Sequence, residues 1–92
     1  MRGTVQPPEE FSVLVEEISR LTEGALMFVG EEKESLMFRW ADVQMPTGIG
    51  LKMLRGRDPV EAAQDIVNNT LNHDDVRGFA AMFGAPAREI DA

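Results

Sequence analysis

The chain contains no cysteine. That excludes disulfides, thiolate zinc sites and a cysteine nucleophile, and it fits a reducing compartment. It has a single histidine, His73, so no second imidazole or thiolate exists to complete a zinc site. Bases are scarce: nine Lys and Arg stand against 16 Asp and Glu, for a net charge of −7. A field of that sign repels phosphate backbones and anionic lipid, which argues against nucleic-acid and membrane partners. No apolar run approaches the roughly 18 residues of a spanning helix, and "MRGTVQPPEE" lacks the apolar core of a secretory signal. The expectation is a cytoplasmic chain, on which the acceptor-like triplet Asn68-Asn69-Thr70 carries no sugar.

What is present suits one small folded domain. Hydrophobic residues make up 43% and charged residues 27% of 92 residues, ordinary values for a globular chain. A domain of this size buries only about 60–65% of its unfolded surface, so association is a natural supplement to its stability. Residues 1–92 are therefore read as one domain, with 1–6 and 86–92 as mobile tails.

Pro7-Pro8 followed by Glu9 and Glu10 forms a helix entrance, with proline in the first turn and acids at the positive end of the dipole. Phe11, Leu14, Val15, Ile18 and Leu21 then share one face, opposite Glu9, Glu10, Glu16, Glu17 and Arg20. Gly24 is the left-handed stop.

Two short apolar runs, "ALMFV" and "SLMFRW", flank "GEEKE" and predict a two-stranded β-hairpin. With Glu32-Lys33 as the turn, Ala25, Met27, Val29, Leu36, Phe38 and Trp40 occupy one face, and Leu26, Phe28, Met37 and Arg39 the other. Both faces then need cover. Helices supply it on one side, and the second face or an edge is left for another molecule.

The segment "MPTGIGLKMLRGRD" has the glycines and bases of a phosphate loop but not the spacing. A P-loop needs four residues before Gly-Lys-Ser/Thr, and the dinucleotide fingerprint needs a glycine where Met53 stands. The segment reads instead as Thr47 capping a short helix through Leu54, with Gly56 as its stop. Asp58-Pro59-Val60-Glu61 is a capping box with proline at the first helical position. It opens a helix whose Val60, Ala63, Ile66, Val67, Thr70 and Leu71 share a face. Asn72 or Asp74 caps a last helix with Val76, Phe79, Ala80 and Phe83 on one face, stopped by Gly84 and Pro86.

Residues 39–57 carry four bases and one acid, against an acidic balance on either side. Arg39, Lys52, Arg55 and Arg57 thus form a basic island that either neutralises neighbouring helices or meets an acidic partner. His73, beside Asp74 and Asp75, is read as capping and balancing charge at a helix start rather than binding metal. No serine lies in a nucleophile-elbow context for it to serve. No catalytic, cofactor or metal site is expected. Six methionines give a soft apolar set suited to adaptable contacts.

From the hairpin to the last helix, "SLMFRWADVQMPTGIGLKMLRGRDPVEAAQDIVNNTLNHDDVRGF" resembles the small tail-assembly chaperones of long-tailed bacteriophages. The likeness is an order of features over about half the chain: hairpin, apolar segment entered by proline, Asp-Pro helix start, acid-capped final helix. It has no motif that carries a residue's role across. It implies a noncatalytic assembly factor that self-associates and binds other proteins in the host cytoplasm.

The expectation is an α+β domain: an N-terminal amphipathic helix, a two-stranded antiparallel hairpin, then two or three short helices. It is expected to be a protein-interaction module forming a homo-oligomer, most simply a dimer, or binding another protein. The expected contacts are Leu26, Phe28, Met37, Arg39, Lys52, Arg55 and Arg57. The alternative is an acidic inhibitor or nucleic-acid mimic whose Glu9, Glu10, Glu16 and Glu17 face occupies a basic site on another protein.

Overall fold

A computed structural model describes residues 6–83. The terminal segments, including the expected tails and the helix stop at Gly84 and Pro86, lie outside the described residues. The fold is α+β, with helices on one face of a three-stranded antiparallel sheet. A 3-10 turn, Glu9–Phe11, leads into α1, Ser12–Thr22. Phe11, Leu14 and Ile18 are buried, with Val15 and Leu21 packed beside them, as the periodicity predicts. The helix ends on two left-handed residues, Glu23 and Gly24, and the Gly24 amide donates to the Ser19 carbonyl at 2.8 Å.

Strand β1, Leu26–Glu32, pairs with β2, Ser35–Trp40, across a turn at Lys33-Glu34. The register corrects the expected faces. Leu26 lies opposite Trp40 and Phe28 opposite Phe38, while Gly30 lies opposite Met37, so Val29 is the extra residue of a β-bulge. Directly paired residues share a face, which sends Leu26 and Phe28 inward with Leu36, Phe38 and Trp40. Leu26 is 1% exposed and Phe28 packs edge-to-face on Phe38, with ring centroids 5.7 Å apart. Neither is presented to a partner by an outer sheet face. Gly30 makes the bulge possible, because its φ of +148° is closed to most other residues.

A third strand, which the sequence reading missed, is β3, Thr47–Gly50, paired with β2 through Thr47 with Phe38 and Ile49 with Leu36. Thr47 is therefore a strand residue rather than a helix cap. Ile49 is buried, and period-two alternation turns Gly48 and Gly50 to the outer face. Met37 lies across Gly48 so closely that a Cβ there would stand 2.8 Å from the Met37 sulfur. The outer face is thus Met27, Met37 and Arg39 among glycines, far less apolar than a two-stranded reading implies.

Only one helical turn follows, α2, Leu51–Leu54, with Leu51 and Leu54 buried. Arg57 donates its amide to the Leu54 carbonyl at 3.2 Å, and Gly56 at φ +81° supplies the left-handed third position of this tight turn. Helix α3, Pro59–Asp65, starts as the capping box predicts: the Asp58 carboxylate accepts from the Glu61 amide at 3.0 Å. It continues into a π-helical turn, Ile66–Thr70. Ordinary helical spacing buries Ala62, Ala63 and Ile66 and leaves Val60 on the exposed flank, and the extra residue of the π turn then brings Leu71 into the core in place of Thr70. Helix α4, His73–Met82, is capped by Asn72, whose side chain accepts from the Asp74 and Asp75 amides. No helix among the described residues is long and apolar enough to cross a membrane.

Candidate interaction surface

Helix α4 has two apolar faces. Val76 and Ala80 enter the core, but Phe79, Met82 and Phe83 are 51%, 82% and 67% exposed. The sequence pattern places both phenylalanines on the core face. At 100° per residue, however, they lie on the flank beyond Val76, and the small helical layer ends before reaching them. They stack on each other instead, edge-to-face with ring centroids 4.7 Å apart. Gly78 lies further round the exposed side of the helix, next to Met82, and a Cβ there would meet nothing among the described residues.

Between α4 and the edge strand β3 runs a groove of about 390 Å³. Thr47 and Gly48 form one wall, Val76 and Phe79 the other, with Thr70, Leu71 and Asp75 closing it. The groove, Phe79 and Phe83 together make a largely uncharged surface on an acidic molecule.

Two contacts from the end of β2 hold α4 in place. The buried Trp40 indole N–H donates to the Leu71 carbonyl at 2.8 Å, fixing the residue just before the Asn72 cap. His73 Nε2 lies 2.9 and 3.1 Å from the two Asp42 carboxylate oxygens, and its ring sits 4.7 Å from the indole. The hydrogen bond to His73 holds the Asp42 carboxyl below its ordinary value; burial opposes this, and Arg77 adds a smaller attraction. His73 is therefore a tie to the loop after β2 rather than a cap, which Asn72 supplies. A pair 31 positions apart leaves no local signal in the sequence.

The basic island is split up. Arg39 donates to the carbonyls of Trp40 and Val43, at 3.2 and 3.1 Å, and so closes the loop after β2. Arg55 pairs with Glu10 at 3.4 Å, and Arg57 with Asp65 at 3.5 Å. Lys52 is exposed and has no ion pair among the described residues. Near Arg55 and Arg57 a cleft of about 130 Å³ is floored by Phe11, Leu14 and Leu54. Met37 stays on the outer sheet face, half-buried over Gly48. Among the described residues most of the acids form no ion pair: Glu31, Glu32 and Glu34 crowd the exposed hairpin tip, while on α1 Glu17 binds Arg20, which holds its carboxyl below the ordinary value.

Among the described residues no three His, Asp or Glu side chains are placed to hold a metal ion. Comparison with family models, with curated proteins and with solved structures finds no match to this chain.

Proposed function

We propose that the chain is a noncatalytic protein-interaction module that self-associates. The observation behind this reading is the exposed cluster of Phe79, Met82 and Phe83 beside the β3–α4 groove. From the area an aromatic side chain offers, these three residues expose on the order of 400 Å² of apolar surface. A contiguous patch of that size falls in the range of the largest apolar patch on a typical protein, about 300–600 Å², which is often a functional surface. The support for association therefore moves from the second face of the hairpin, where the sequence reading put it, to α4. A phage-encoded assembly or accessory factor acting in the host cytoplasm is one form such a module takes; that form rests on the order of sequence features alone. Sedimentation at micromolar concentration is the test. A reversible dimer supports the reading, and a monomer throughout removes it.

A second reading, an acidic inhibitor or nucleic-acid mimic, draws on the exposed Glu31, Glu32 and Glu34 of the hairpin tip together with Glu9 and Glu16. It requires a basic partner whose binding weakens steeply with salt. Binding indifferent to salt counts against it.

A further inference from the structure

We infer that two copies of this chain pair through antiparallel α4 helices about a twofold axis near Phe79. Each copy seats its Phe83 in the other's β3–α4 groove. The inference rests on the self-association reading and names its surface.

The first argument is charge. A twofold interface sets a patch against its own image, so a patch that carries charge of one sign meets the same sign. With a net charge of −7, most faces of this molecule are closed to self-pairing. The outer side of α1 and the hairpin tip carry exposed glutamates, and α4 begins with Asp74 and Asp75. The C-terminal half of α4 presents Gly78, Phe79, Ala81, Met82 and Phe83, all exposed and all uncharged.

The second argument is register. If antiparallel α4 helices cross with Phe79 facing its image, Phe83 of one copy falls level with Asp75 and Val76 of the other, about 6 Å from the crossing point at 1.5 Å per residue. Asp75 and Val76 line the groove. Cavities of about 150 Å³ already hold a benzene ring, so 390 Å³ admits a benzyl side chain with room for the backbone that carries it. The ring's positive edge then faces the Asp75 carboxylate. The two Asp75 residues stand about 12 Å apart along the paired helices, beyond the screening length at physiological salt.

The area also suffices. Two copies contribute on the order of 800 Å² from the three exposed side chains, and the groove walls bring the total to about 1,000 Å², the size of a weak, transient interface. The dimer should be weak and reversible.

The experiment compares the full chain with Phe83→Ala and Thr70→Trp by sedimentation equilibrium, with circular dichroism to show that the fold is retained. Phe83→Ala removes the inserted ring, and Thr70→Trp fills the groove that receives it. Each change occurs twice per dimer, so each should raise the dimer Kd about 100-fold. In parallel, Phe79→Cys, at the crossing point, should form a disulfide-linked dimer under oxidation and Ser19→Cys on α1 should not; the chain has no other cysteine. A wild-type dimer unaffected by Phe83→Ala, or cross-linked through Ser19→Cys instead, overturns this interface and leaves self-association standing. A wild type that is monomeric throughout overturns both.

Discussion

Replacing Trp40 with phenylalanine tests how the sheet positions the helix that carries the proposed surface. The indole is 8% exposed, and its N–H is the donor to the Leu71 carbonyl, a buried bond of 2.8 Å. Phenylalanine keeps an aromatic ring but has no donor, so the carbonyl is left in an apolar site without that partner. An unsatisfied buried group costs about 1–3 kcal/mol. The smaller ring also leaves a void beside Leu71, for a total of roughly 2–4 kcal/mol. In a domain of this size each kcal/mol moves Tm by about 4–8 °C, so the melting temperature should fall by about 10–25 °C. Circular dichroism is the assay, since the substitution removes the only tryptophan. Leu71 leads directly into the Asn72 cap, so association should weaken at temperatures where the variant is still folded. A Tm within about 2 °C of wild type would refute the claim that this bond anchors α4.

Three further outcomes follow. Asp58→Ala should destabilise the domain by about 1 kcal/mol in urea unfolding, because the Glu61 amide loses its acceptor, while Asp58→Ser should recover most of the loss. Because the folded-state pKa of Asp42 is depressed, the stability it contributes is present above its unfolded value and is lost as pH falls through the folded value; the gap between wild type and Asp42→Asn should therefore hold at pH above the ordinary aspartate range and close progressively as pH falls below it, measured by urea melts. Arg55→Glu with Arg57→Glu breaks two exposed ion pairs and should cost at most about 1 kcal/mol each while leaving association at high salt, where the added negative charge is screened, unchanged; a large loss there would return the basic island to the interface.

The parts of the fold legible in the sequence are those written in local chemistry. The face of α1, the Asp58-Pro59 helix start and the Asn72 cap each depend on side chains within one or two turns. The hairpin was legible as a hairpin, but its register was not. A bulge at Val29 exchanges the inward set of β1, and only the pairing of Gly30 with Met37 reveals it. Strand β3 was hidden because "TGIG" has the glycines of a turn and a single apolar residue; its strand character comes from Ile49 meeting Leu36 across the sheet. The surface was misread for a related reason. Periodicity places Phe79 and Phe83 beside Val76 and Ala80, and only the extent of the packed layer decides which of the four it covers. The tie between Asp42 and His73 joins residues with no sequence signal between them.

The central claim is self-association through an uncharged surface, and sedimentation equilibrium of the wild type at low and high salt tests it most directly. The account predicts a reversible species of twice the 10.2 kDa chain mass. Its affinity should hold or rise with salt, because screening relieves the repulsion between two acidic chains. A monomer at every concentration, or a dimer that salt dissociates, would contradict it.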